Sequence, residues 1–173
     1  MCLSLVGSEM CIRDRYSGAP VSLGVVSLSQ ASEIVHVPDD VNEILDEFPE
    51  GSLTIILRAR NEMDFRLGGD KVAIRVVSNR KAKELLSMTG PLTATSANIS
   101  GQDPHLDCVE AAESLRSTEE RIVGIDGVCE GGQPSTLIAW HTVCESPKSL
   151  SIEVIREGKV SSEEVLSWWK SRI

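Results

Sequence analysis

Arg75 stands in an otherwise apolar run, Val72-Ala73-Ile74-Arg75-Val76. A guanidinium buried there without a counter-charge is costly, so the position demands an anion. A structural Asp or Glu would serve. So would the carboxylate of a small substrate, which the planar guanidinium fork grips with two hydrogen bonds better than an ammonium does. A second polar concentration lies in Gly90-Pro91-Leu92-Thr93-Ala94-Thr95-Ser96-Ala97-Asn98-Ile99-Ser100-Gly101. Thr93, Thr95, Ser96, Asn98 and Ser100 crowd uncharged donors and acceptors behind a short apolar stretch. These groups can hydrogen-bond phosphate oxygens, a carboxylate or a nucleobase edge. A capped turn, in which they satisfy only nearby backbone, is the other reading. Ser135, in Pro134-Ser135-Thr136, reads as a turn or cap at a strand start. Arg156 follows an apolar strand and precedes Gly158, the setting of a surface arginine or of one aimed at phosphate.

No catalytic acid, base or nucleophile is assigned from these residues. A serine hydrolase is disfavoured, because the chain has no Gly-x-Ser-x-Gly elbow and no histidine partner for a serine. His36, His105 and His141 are scattered and are expected to be solvated. Asp126, before Gly127, reads as a β-turn or as a Mg²⁺ ligand, and the turn is the simpler account.

The elements that must position these groups alternate. Strands are expected over 21–27, 53–59, 72–76, 122–125, 135–139 and 152–155, the second apolar enough to be buried on both faces. Helices are expected over 29–35, capped by Ser29, and over 40–48, where Asp40 and Glu43 are spaced as an acidic variant of a capping box. Asn79 caps a helix through Ser87 with Ala82, Leu85 and Leu86 on one face, and Asp107 caps another through Leu115. Ser161-Ser162-Glu163-Glu164 opens the last. The mixed order predicts a single α/β domain with an open, twisted, mixed sheet and flanking helices.

The chain has 173 residues and a net charge of -9. That balance disfavours unaided binding along a phosphate backbone, whose affinity comes mainly from Lys and Arg. Residues 1–15 have no clear period, are too short and polar to span a membrane and lack a signal peptide's basic start and cleavage site. They read as a non-native leader, expected to be disordered or loosely packed, with the domain proper over 16–173. Cys108, Cys129 and Cys144 have no metal-ligand spacing and are odd in number, which favours free thiols in the cytoplasm.

The run Pro91-Leu92-Thr93-Ala94-Thr95-Ser96-Ala97-Asn98-Ile99-Ser100-Gly101 resembles the signature P-[LI]-x-A-x-S-A-N-x-S-G of the YrdC-like family, the threonylcarbamoyl-AMP synthases. Phe48-Pro49-Glu50-Gly51-Ser52-Leu53-Thr54-Ile55-Ile56-Leu57 is similar to its F-W-P-G-P-L-T-x-I-L, without the Trp and the second Pro. Val72 to Val76 is similar to V-A-[VI]-R-[VI]-P, with Val77 in place of the Pro. Gly132-Gln133-Pro134-Ser135-Thr136-Leu137-Ile138 resembles G-x-x-S-T-[IV]-[IV], and Ile155-Arg156-Glu157-Gly158 resembles [LI]-R-x-G. Nothing resembles the family's opening P-T-[ED]-T-x-Y-G-L, and its cationic K-x-R-x-x-x-x-P survives only as a tail, residues 17–22. The domain is accordingly expected to lack the family's first strand and helix.

The resemblance implies a nucleotidyltransferase that condenses L-threonine, bicarbonate and ATP, with Mg²⁺, into threonylcarbamoyl-AMP and pyrophosphate for t6A modification of tRNA. It implies L-threonine contacts at Arg75, Ala94 and Ser135 and ATP contacts at Ser96, Asn98 and Arg156. Its implied partners are t6A-pathway proteins and tRNA, with no membrane. A chain without the cationic motif is expected to turn over slowly. The alternative is a non-catalytic YrdC-like module that binds double-stranded RNA or tRNA, or regulates.

Overall fold

The computed structural model describes residues 3–4, 20–99, 102–116, 122–125, 129, 131–144 and 151–172. Seven strands form one sheet: β1 (Leu3–Ser4), β2 (Ser22–Val25), β3 (Leu53–Arg58), β4 (Lys71–Val76), β5 (Leu92–Ser96), β6 (Thr136–Ala139) and β7 (Glu153–Arg156). Their spatial order is β1-β5-β2-β4-β3-β6-β7. The β2–β4 and β3–β6 pairs are parallel and the others antiparallel, so the sheet is mixed as expected. Around it lie α1 (Leu28–Ala31), α2 (Asp40–Glu47), α3 (Arg80–Thr89), α4 (Cys108–Leu115) and α5 (Ser162–Lys170).

Strand alternation divides the apolar side chains between two faces. Leu23 and Val25 of β2, Leu53, Ile55 and Leu57 of β3, Val72 and Ile74 of β4, and Ile138 of β6 bury on one face. There they join Ala31, Val41, Ile44, Val165, Trp168 and Trp169 from three helices, together with Trp140. Each large side chain so buried stabilises the fold by roughly 1.5–3 kcal/mol. On the opposite face α3 lays Ala82 and Leu86 against Val77, Val26 and Leu92. That smaller layer covers the β2–β5 side.

Caps fix the helices that flank the sheet. Asn79 accepts from the backbone N–H of Ala82, Asp107 accepts from Val109 and Glu110, and Ser161 and Glu164 form a reciprocal capping box. Three local expectations are corrected. The first helix is one turn, 28–31, capped by Ser27 rather than Ser29, because the Ser27 side chain accepts from the Gln30 N–H. The acidic capping box of Asp40 and Glu43 does not form: Asp39 holds the N-cap position and makes no side-chain cap bond. Residues 122–125 are not a strand; they run without a ladder partner, with Val123 76% and Ile125 47% exposed. Apolar side chains alone do not make a strand where no neighbouring edge offers hydrogen bonds. Within 1–15, Leu3 and Ser4 pair antiparallel with Ser96 and Thr95, so this much of the leader is ordered against the sheet; the rest of 1–15 lies outside the described residues. No described helix is long and apolar enough to cross a membrane.

Candidate functional site

The sheet register gathers the chemistry. Gly24 lies opposite Arg75, and Ile55 lies opposite Ile74, which sets Thr54 beside Arg75 in the same row. Thr54 then faces Leu137, and Leu137 faces Arg156. Residues in one row point to one face, so Arg75, Thr54 and Arg156 emerge together, away from the main core.

Arg156 reaches that row through a bulge. Ile138 pairs with Val154 but Leu137 pairs with Arg156, so the register shifts at this point and Ile155 is the extra residue. A regular ladder would have set Ile155 opposite Leu137 and turned Arg156 toward the core. The bulge brings the cation to the polar face, a common means of re-aiming a side chain.

Two turns complete the arrangement. Gly51 has φ of 75°, and a Cβ there would stand 2.8 Å from Ser78 Oγ, so glycine alone fits. Its carbonyl accepts from Arg75 Nε at 3.1 Å and Nη2 at 2.8 Å. At the other turn a Cβ on Gly158 would stand 2.1 Å from the Pro134 carbonyl oxygen. That close approach lets Thr136 Oγ1 accept from the N–H groups of Gly158 and Val160 and donate to Val160 O. The cap at this strand start is thus Thr136 rather than Ser135, and it locks the segment after Arg156 against Ser135.

Ser135 is buried and its Oγ stands 2.7 Å from Thr54 Oγ1. The Ser135 carbonyl accepts from Arg156 Nη2 at 2.9 Å. Burial first, and the charge of Arg156 second, lower the Arg75 pKa, so the two guanidiniums act on each other. Neither loses its proton at ordinary pH. Arg75 is half-buried and Arg156 exposed, and two cations that share a face with neutral hydroxyls favour an anion by electrostatics.

The β5 residues form a second group. Leu92 shares the row of Gly24 and Arg75, so Ala94 lies two rows and Ser96 four rows along β5, about 7 and 13 Å away at strand spacing. Ala94 is buried and its carbonyl accepts from Ser22 Oγ at 2.8 Å. Ser96 is exposed and pairs through its backbone with Leu3. Asn98 donates through Nδ2 to Ile99 O and Gln102 O, while its buried Oδ1 has no hydrogen-bond partner. Ser100 and Gly101 lie outside the described residues.

The structure thus brings Arg75, Ser135 and Arg156 together and sets Ala94 and Ser96 along β5 on the same face, with Asn98 just beyond the strand. Sequence reasoning missed Thr54, Ser52 and the Gly51 carbonyl. Thr54, a hydroxyl within the buried run 53–59, was the available signal. His141 is not solvated as expected: its ring packs against both Trp140 and Trp169, with Nε2 3.4 Å from Asp40 Oδ2. Among the described residues no group of three or more His, Cys, Asp or Glu is placed to hold a metal ion, and Asp126 lies outside them.

The profile of the Sua5/YciO/YrdC family, described as telomere recombination, matches residues 10–158. A Methanocaldococcus jannaschii protein provisionally named a threonylcarbamoyl-AMP synthase is 30% identical over 154 residues, 89% of this chain and 70% of that protein. A Mycobacterium tuberculosis protein of the same provisional name is 28% identical over 165 residues, 94% and 72% of the two chains. Among solved structures, Escherichia coli YciO superposes with a TM-score of 0.68 at 25% identity, covering 92% of this chain and 75% of its own. Pyrococcus abyssi Sua5, solved with L-threonine, has the same fold with a TM-score of 0.72 at 24% identity. This chain spans 45% of its length. Profile, relatives and fold agree, and the chain belongs to the Sua5/YciO/YrdC family.

Proposed function

We propose that this chain condenses L-threonine, bicarbonate and ATP into threonylcarbamoyl-adenylate, releasing pyrophosphate and water, as a step toward t6A in tRNA. The observation that carries the reading is the Arg75–Arg156 pair standing over the Thr54–Ser135 hydroxyls. Arg75 exchanges part of its Gly51 contact for the threonine carboxylate, with Ser135 and the backbone of Ala94 orienting the amino acid. The threonine nitrogen forms a bond to the bicarbonate carbon with loss of water. A carboxylate oxygen of the resulting carbamate then attacks the α-phosphorus of ATP, and pyrophosphate leaves. Arg156 compensates charge on the phosphates, while Ser96 and Asn98 contact the nucleotide along β5.

The distances support this assignment, because about 13 Å of strand separates the Arg75 row from Ser96, room for an amino acid and a nucleotide end to end. Such chemistry needs positioning and fixed charge more than a nucleophile of the protein's own. The test is pyrophosphate release with ATP, bicarbonate, Mg²⁺ and L-threonine. Release that requires threonine and is abolished in Arg75→Ala is expected. Release indifferent to threonine would overturn the reading.

A further inference from the structure

Ser52 is 1% exposed, and its Oγ, buried with it, has no hydrogen-bond partner. Its backbone is engaged on both sides: the N–H donates to Pro49 O at 2.9 Å and the carbonyl accepts from Thr136 N at 2.8 Å. That last bond belongs to the Leu53–Thr136 pair, so Ser52 stands directly before β3 with its backbone tied to β6. Ser52 is therefore two residues from Thr54 in the turn that leads into β3. The Thr54 and Ser135 hydroxyls satisfy each other at 2.7 Å, while the Ser52 hydroxyl at the start of the same strand is left without a partner.

A buried hydroxyl without a partner is a cost to the folded chain. Packing gives no reason for it, since alanine would fill nearly the same space, and the family signature carries a proline at this place. The position is also telling: Ser52 follows Gly51, whose carbonyl holds Arg75. A ligand whose carboxylate takes the Arg75 fork presents its next substituents to Ser52. In a β-hydroxy amino acid the hydroxyl sits one carbon beyond the carbon that bears the carboxylate.

We infer that Ser52 is a specificity-determining residue of this site, whose spare hydroxyl pairs with the β-hydroxyl of the amino-acid substrate. The inference rests on the function proposed above and adds the means of discrimination. A site built to pair a substrate hydroxyl rejects the analogue that lacks it, because its own buried group is then left unpaired. L-Valine, with a methyl in place of that hydroxyl, is the matched analogue.

The experiment is calorimetric titration of the wild-type chain, Ser52→Ala and the near-isosteric Ser52→Cys with L-threonine and with L-valine, alongside thermal melts of the free proteins. Ser52→Ala should melt at or above the wild-type temperature, since it removes an unpaired buried hydroxyl, and valine affinity should stay the same. Threonine affinity should fall about tenfold or more in both variants, so that the threonine preference collapses. A threonine-to-valine ratio unchanged by either substitution would overturn the inference and leave the proposed function standing. A wild-type chain that binds neither amino acid would overturn both.

Discussion

Arg75 on β4 and Arg156 on β7 act on each other's charge although two strands, β3 and β6, lie between them. Their backbones are about 14 Å apart at ordinary strand spacing, so the long side chains must converge over the sheet. Burial is the larger cause of the lowered Arg75 pKa and Arg156 the second. Both causes disfavour the cation, and both are relieved by an anion between the pair.

Sulfate should therefore stabilise the chain beyond its effect as a salt. At about ten times its dissociation constant it should add about 1.4 kcal/mol, or about 3–6 °C in melting temperature. Thermal melts in sulfate and chloride at equal ionic strength would read the shift, which Arg156→Gln should reduce. Equal melting temperatures in the two salts would mean that the pair holds no anion.

Gly158→Ala should be among the costly single-methyl additions. The added carbon would meet the Pro134 carbonyl oxygen at 2.1 Å and the Ser135 carbonyl carbon at 2.8 Å, backbone that cannot turn aside. A loss of about 1–3 kcal/mol is expected from denaturant titration, with Arg156 displaced from Ser135 as a consequence. A neutral effect would mean that the turn carries no such close contact.

Much of this was legible in the sequence. Arg75 stood out because a charge in an apolar strand needs an explanation, and Asn79, Asp107 and Ser161 announced their helices through side-chain capping chemistry. Less legible was whatever depended on register. Nothing local in Ile152 to Arg156 specifies a bulge, because the extra residue is defined only against β6. Thr54 and Ser135 are 81 residues apart in sequence and meet through strand pairing alone. Val123 and Ile125 misled for the converse reason: their residue types suit a strand, but among the described residues no strand lies alongside.

The last helix should respond to acid. Hydrogen bonds to Ser161, the side chain first, hold the Glu164 carboxyl below its ordinary value of 4.5, and the Ser162 backbone lowers Glu157. A depressed carboxyl contributes stability above its unfolded pKa and loses it as pH falls through the folded value. Between pH 5 and lower values, Glu164→Gln should therefore lose less stability than the wild-type chain when denaturant midpoints are followed. Parallel curves would show that the capping box contributes nothing through charge.

Double-stranded RNA should bind weakly and only at low salt. With a net charge of -9 the chain can offset few phosphates, so the slope of log affinity against log salt should be shallow, about one to two released ions. Fluorescence anisotropy with a labelled duplex would measure it. Tight binding with a steep slope would favour the RNA-binding alternative.

The central claim is that Arg75 holds a substrate carboxylate, and calorimetric titration with L-threonine tests it most directly. Wild-type chain should bind threonine, and Arg75→Lys should weaken that binding by about 1.5–3 kcal/mol, the worth of a hydrogen bond to a charged group, with its melting temperature nearly unchanged. Equal threonine affinity in the two proteins, with stability lost instead, would contradict the account and make Arg75 a structural brace for the Gly51 turn.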